Sequence, residues 1–449
     1  MGRRTAWWRR ERARGGHPSR SARARAAFIG AALLLCTTAA LPAQPALAAG
    51  TPSPYAFAPD ARPVTGTTST TDAAALTPGA TYKSSLPSSG QIHYSLDLDA
   101  TSVTYVSVTA IPAPGSTVTA RDGIRVSVED PDGRPCSLKT ETFDAVRSAR
   151  PIAAWGVREV SAHRTRCKSA GTYDVIVERV RAATSTPDTW DLELFATSEP
   201  SLRQTGETSA PEAWNSASPA PLTDEDVPRE GGSGFASAVS IGQGVWSSDI
   251  EPGRTLFYKV PLDWGRQLYA TAELGGSSNG DGYTVGALNL ALYNPARGLV
   301  DDTSANYNGK RTAAELDPLP PVAYENRYGN PERFRTMRFA GSYYLVVHLA
   351  AGIAERYGDG PFELTLRVRV GGEEAAGPGY AGESEPEGLF QVSASDREAA
   401  AANGPADGTG SDGDAAMTVL AVSGIGTGTL VLVVLGVWAV VARRRVGAW

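Results

Sequence analysis

Histidine and cysteine are scarce in this chain, at four and three among 449 residues. His17 sits in a basic leader, His93 and His348 fall on the outward parity of their strands, and His163 lies in the irregular stretch SAHRTRCKSA (161–170). Nucleophilic catalysis of the triad type needs a histidine held between a nucleophile and an acid. None of the four is flanked in that way, and each is expected to face solvent. There is no G-x-S-x-G elbow between a strand and a helix and no H-E-x-x-H, and GGSGFAS (231–237) is a near miss with the wrong spacing. The expectation is therefore no catalytic, cofactor-binding or metal-ligating residues, no cofactor, and no enzyme.

Cysteine is equally restrictive. Cys36 lies in the leader behind Leu33, Leu34 and Leu35, where a lipid-attachment site would need small residues. Cys136 and Cys167 remain, and two cysteines in an exported domain most often pair. Thirty residues separate them, a loop whose closure is worth about 3–4 kcal/mol in the chain-entropy picture. Two free thiols are the alternative; zinc is poorly served by two cysteines alone. The exported region shows no amphipathic helical pattern.

Only two long apolar runs occur, one at each end. Nine arginines between Arg3 and Arg25 precede AAFIGAALLLCTTAALPA, which leads to Ala46-Leu47-Ala48. A basic stretch, a short apolar core and an A-x-A site make a signal peptide over 1–48. Residues 417–442 form a 26-residue run without charge, followed at once by Arg443, Arg444 and Arg445. About 20 apolar residues span a bilayer, and the arginines stay inside. This predicts a single-pass cell-membrane protein, its ectodomain outside and a short tail (443–449) inside. Gly424 and Gly428 could pair such helices. Removing the nine leader arginines, Glu11 and the three anchoring arginines takes the net charge from −6 to −17. So acidic a body excludes nucleic acid as a partner and adhesion to anionic polymers.

The middle of the chain is written twice. AGTYDVIVERV (170–180) returns as AGSYYLVVHLA (340–350), and YKSSLPSSGQIHYSLDLD (82–99) as WSSDIEPGRTLFYKVPLD (246–263). Ile124, Val126, Val128 and Pro131 meet Leu288, Leu290, Leu292 and Pro295 at the same offset of 164; TWDLELF (189–195) meets PFELTLR (361–367) at 172. Tyr173, Val175 and Val177 share one strand face while Asp174 and Glu178 take the other. Period-two alternation separated by turn signals such as Asp130-Pro131-Asp132-Gly133 specifies half-buried antiparallel strands. The fold class is all-β: two tandem jelly-roll-like β-sandwiches plus one C-terminal transmembrane helix. The first sandwich with its lead-in covers 54–198, a linker 199–234, the second sandwich 235–370. Residues 371–416 hold ten acids and one arginine, a composition expected to form a disordered stalk.

The order of these motifs resembles the bacterial pre-peptidase C-terminal domain: Pro-Gly before Tyr82, a strand ending in Leu-Asp, DPDG, AGTYDVIV, then DLELFA. It covers both units. The resemblance implies a small jelly roll that usually trails a secreted peptidase; here no peptidase precedes it, and it brings no catalytic residues. The arrangement is similar to that of actinobacterial membrane-anchored surface proteins. The disulfide is expected to clip the DPDG turn to the approach of the AGTYDV strand.

Three other features bear on function. GGSSNGDGYTVG (275–286) reads as a flexible hairpin loop, with a calcium site as the alternative. Asp99 and Asp263 end equivalent strands and suit turn capping. Trp155, Trp214, Trp246 and Trp264 are candidates for stacking on sugars; Trp246 reads as core, and Trp214 and Trp264 as exposed contacts. The functional expectation is a non-enzymatic surface protein that binds an exported or membrane protein partner or acts in envelope assembly. A glycan-binding or cell-wall-binding module is the alternative, and an enzyme of another type the third.

Overall fold

The computed structural model describes residues 55–161, 165–204, 206–211, 213–220 and 222–402. The leader, residues 403–416, the apolar run 417–442, the tail and His163 lie outside the described residues. Among the described residues no helix is long and apolar enough to cross a membrane.

The first copy supplies β1 (Arg62–Pro63), β2 (Ala74–Leu76), β3 (Thr81–Leu86), β4 (Gln91–Leu98), β5 (Val103–Ile111), β6 (Gly123–Glu129), β7 (Pro135–Thr142), β8 (Ile152–Arg158), β9 (Gly171–Val180) and β10 (Trp190–Glu199). The second supplies β11 (Val227–Pro228), β12 (Val239–Ser240), β13 (Gly244–Ile250), β14 (Thr255–Leu262), β15 (Gln267–Leu274), β16 (Thr284–Tyr293), β17 (Leu299–Tyr307), β18 (Thr312–Glu315), β19 (Gly341–Leu349) and β20 (Phe362–Gly371). Four five-stranded sheets result. Sheet I has the order β1-β3-β10-β5-β8 and sheet II β2-β4-β9-β6-β7; sheet III repeats the first as β11-β13-β20-β15-β18, and sheet IV the second as β12-β14-β19-β16-β17.

The duplication holds residue by residue. Tyr82 lies opposite Arg62 and Leu194, and Trp246 opposite Val227 and Leu366. Tyr94 lies opposite Ala74 and Val175, and Tyr258 opposite Val239 and Leu345. Even side-chain bonds recur: Tyr173 donates to the Ser169 carbonyl at 2.7 Å, and Tyr343 to the Phe339 carbonyl at 2.9 Å. Since a one-residue slip would turn every apolar side chain outward, the repeated alternation is what fixes this register. Each copy has its own core, around Tyr94, Val126, Val177 and Trp190 in the first and Trp246, Leu290, Tyr343 and Leu364 in the second. Cys136, at the start of β7, is bonded to Cys167 on the approach to β9, with Cα atoms 5.7 Å apart.

The copies do not hang on a loose linker. The outward face of sheet I packs against the outward face of sheet IV. Ile111 and Ala153 from the first copy meet Phe257, Ala291, Tyr293 and Val346 from the second. For this reason β5 is buried along its whole length. β11 lies inside the stretch expected as linker. Residues 213–220 and Leu222 run over sheet III, where Arg367 and Arg369 donate to the Leu222 and Ala220 carbonyls, both at 2.8 Å.

The acidic segment after β20 is also ordered, to Ala402, where a disordered stalk was expected. Glu385 bridges to Ser198 and Tyr380 to Leu202 on the first copy. Phe390 is buried between Tyr105 and Phe339. A helix over Ala394–Ala401 then returns to the second copy, with Arg397 2.9 Å from Asp263. Three buried or half-buried aromatic and aliphatic anchors, Tyr380, Leu389 and Phe390, outweigh the composition, since each buried large apolar side chain is worth about 1.5–3 kcal/mol.

Candidate binding cleft at the seam

The seam between the copies holds charge that would be costly if left unpaired. Glu193, fully buried on β10, accepts from Arg297 at 2.5 Å, from the Tyr55 hydroxyl at 2.9 Å and from the Ala58 amide at 2.8 Å. Glu199 accepts from Arg327 at 2.6 Å, Tyr105 at 2.6 Å and Tyr380 at 2.9 Å. Burial opposes the charge of Glu199, but Arg327 and Arg338 outweigh it and hold its carboxyl below the usual range. These are fixed interdomain ties, satisfied on most sides, and they leave no room for a ligand.

His348 sits at one end of the seam. It is fully buried, not solvent-facing as expected. Its strand parity does point outward from the second core, but sheet I covers that face. Nε2 lies 2.9 Å from Ser148 Oγ of the first copy and Nδ1 2.9 Å from Thr255 Oγ1. The Ala351 amide donates to Ser148 Oγ at 3.1 Å, which occupies one lone pair of the serine oxygen. Burial, and then Arg150, push the imidazole down to about 3, against a backbone hydrogen bond to Arg254. The pair has the outline of a nucleophile and base, yet a threonine stands where an acid would orient the ring, and so weak a base takes a proton poorly near neutral pH. His93 is buried as well, its backbone bridged to Thr67 beside β4 and its Nε2 3.1 Å from Gln91 Nε2.

Beside Ser148 the seam opens into a cleft of about 580 Å³, within the usual range for ligand sites. Loops of both copies line it: Ile111 to Val118 and Val146 to Pro151 from the first, Pro252 to Thr255 and Ala350 to Gly352 from the second, with Thr284 and Val285. Val285 is 57% exposed. Three arginines, Arg147, Arg150 and Arg254, face one carboxylate, Glu355. Arg150 is buried and donates to the Phe143 carbonyl at 3.3 Å. Arg147 and Arg254 are exposed and have no ion-pair partner among the described residues. Arg147 has φ 48° and Asp144, three residues before it, φ 49°. Non-glycine residues in that region carry strain that other interactions must hold, and they gather at functional sites.

The other sequence candidates lie elsewhere. Asp99 caps its turn: burial opposes its charge, but bonds from Ser102 and Thr101 hold the carboxyl down to about 2. Asp263 pairs with Arg397. Trp155 is buried and stacked on Tyr105 at 5.2 Å; Trp246 is core; Trp214 meets Phe334 edge-on at 5.5 Å; Trp264 packs on the second core. None presents a free stacking face at the cleft. The 275–286 loop is tied down, with the Tyr357 hydroxyl donating to the Gly282 carbonyl at 2.6 Å. Among the described residues no group of three or more His, Cys, Asp or Glu is placed to hold a metal. Sequence reasoning missed Arg147 and Arg254 because both lie in turns with no pattern of their own; the one available signal was their position at loops adjoining outward-facing strands.

No family model and no curated protein matches the chain. Among solved structures, it is similar to the N-terminal CBM22-1-CBM22-2 tandem domain of Paenibacillus barcinonensis Xyn10C, at 10% identity over 66% of this chain and 92% of that one, with a TM-score of 0.17. The CUB1-EGF-CUB2 domain of human MASP-1/3 matches at 8% identity over 65% and 99%, TM-score 0.15. The ANX1 ectodomain of Arabidopsis thaliana matches at 9% identity over 64% and 83%, TM-score 0.16. Likenesses at this level assign no function.

Proposed function

We propose that this chain is a non-enzymatic, membrane-anchored surface protein whose paired sandwiches bind a partner, most readily an exported or membrane protein, in the cleft at their seam. The observation that carries the proposal is the cleft itself: it is built from loops of both copies, and the ordered stack beneath holds those loops in place. Such loops on a rigid scaffold are where binding residues concentrate. The low basicity of His348 supports a binding role over catalysis. The leader, the 417–442 run and the arginines after it support export and anchoring. The interleaved strand order of sheets I and II supports reading each copy as a jelly roll, in line with the resemblance to the pre-peptidase C-terminal domain.

Gly352 supplies the test. It lines the cleft, its φ is not in the left-handed region, and an added Cβ meets nothing within 4 Å. Gly352→Trp should fill the cleft without disturbing the fold. The detergent-solubilised full chain and this variant are immobilised and exposed to solubilised envelope from the source cell. A protein retained by the wild type and lost with Gly352→Trp is the expected result. Capture that the substitution leaves unchanged would remove the cleft as the site; a wall glycan lost in the same way would move the function to glycan binding.

A further inference from the structure

We infer that the ligand of the seam cleft is an acidic peptide segment, held by Arg147 and Arg254 through its carboxylates; this rests on the binding role proposed for the cleft. Three observations converge. The first is charge. In a body with net charge −17 once the ends are removed, this cleft gathers three arginines against Glu355. Arg150 is buried and donates to the Phe143 carbonyl at 3.3 Å, so the two exposed guanidinium groups, one from each copy, are left to face the opening. Guanidinium groups bind carboxylates in a planar, two-bonded manner that exceeds neutral hydrogen bonds in strength. The second is the wall chemistry. Pro112, Pro114, Pro151, Pro252, Val118 and Val285 offer apolar surface and no aromatic ring. That suits aliphatic side chains flanking an acid and lacks the platform on which a sugar ring stacks.

The third is strain. Arg147 follows the short 3-10 turn Asp144–Val146 in a left-handed conformation, a position where glycine is the residue that costs least. The chain instead keeps a long cation there, exposed and unpaired among the described residues. A strained side chain with no structural partner is accounted for if its partner is the ligand. This makes Arg147→Gly a diagnostic substitution: it removes the cation and relieves the backbone together. A residue kept for function should give lower affinity and higher thermal stability in the same variant.

The experiment uses the full chain in detergent and fluorescence anisotropy. The probe is a pool of labelled octapeptides with two glutamates and the other positions randomised. A matched pool carries glutamine in place of glutamate, and a labelled oligouronate serves as an anionic glycan. The acidic pool should bind the wild type and lose affinity as salt rises. Arg147→Gly and Arg254→Gln should each weaken it about tenfold or more, with Arg147→Gly melting at a higher temperature than the wild type. Equal binding of the glutamate and glutamine pools, or no effect of either substitution, overturns the inference. So does binding of the oligouronate alone, or of no acidic peptide at all. Gly352→Trp separates the two levels. If it abolishes partner capture while acidic peptides fail to bind, the cleft stands and its ligand class is wrong. If capture survives it, the cleft itself is wrong.

Discussion

The same turn in the two copies shows how a duplicated frame became a joint. In the first copy Asp130-Pro131-Asp132-Gly133 closes between β6 and β7; in the second Asn294-Pro295-Ala296-Arg297 closes between β16 and β17. The bonds match: the Asp130 and Asn294 amides donate to the Arg134 and Gly298 carbonyls, both at 2.9 Å. Gly133 has φ 73° and Arg297 φ 58°. The first turn is exposed and uses glycine where the left-handed conformation demands it. The second puts an arginine there, buried against Phe195 and Phe235, and drives it into Glu193 across the seam. The backbone was retained while one side chain changed the turn from a surface feature into an interdomain bolt.

Breaking that bolt should give the largest effect. Arg297→Ala leaves Glu193 buried with its hydroxyl and amide donors but without its counter-charge, at about 3–5 kcal/mol. Gly133→Arg places the same residue at the first copy's equivalent site, where it costs about 1–2 kcal/mol for the left-handed backbone alone. Calorimetric unfolding of both variants checks the ordering. A loss for Arg297→Ala no larger than that for Gly133→Arg would put the seam pair below the range of a buried ion pair. A double replacement, Glu193→Met with Arg297→Met, should recover most of the loss, because a buried pair is costly mainly when one partner remains.

The seam also differs from the cores in its response to acid. His348 is held neutral, its folded pKa of about 3 lying well below the unfolded value near 6.5. Between those values the unfolded chain binds a proton that the folded chain does not, so stability is present above pH 6.5 and is lost as pH falls toward 3. At pH 5 the loss is about 2 kcal/mol relative to pH 7, at about 1.4 kcal/mol per unit below 6.5. His348→Asn should flatten this part of the pH–stability curve. A variant that retained the full slope would assign the acid response to other groups. Glu141 runs the other way: burial, and then Asp302, raise its carboxyl to about 8, so its contribution is complete below its unfolded value near 4.5 and declines as pH rises toward 8.

How far the sequence led depends on what parity can express. The four aligned segments carried the register of both copies, because alternating side chains must choose one face. Parity does not say what covers the other face. His348 was read from its strand as if the outward side were water, and a neighbouring sheet lies there instead. Composition failed in a similar way beyond β20. The acids of 371–402 suggested an unfolded segment, while Tyr380, Leu389 and Phe390 anchor it across both copies. Arg147 and Arg254 belong to turns without periodicity, so the cleft could be found only by folding the chain.

The smallest expected effect tests the opposite half of the comparison, the part that duplication left alone. Tyr173 and Tyr343 are both buried, and each donates its hydroxyl to a carbonyl four residues back. Neither bond crosses the seam. Each substitution removes one neutral bond, at about 1 kcal/mol, the Ser169 carbonyl keeping a further donor in Arg158 Nη2 at 3.3 Å. Tyr173→Phe and Tyr343→Phe should therefore destabilise by the same amount, and the double variant by their sum, since sites this independent add. If the second copy lost markedly more, its frame would be coupled to the seam, and the two copies would have diverged in their cores as well as in their joint.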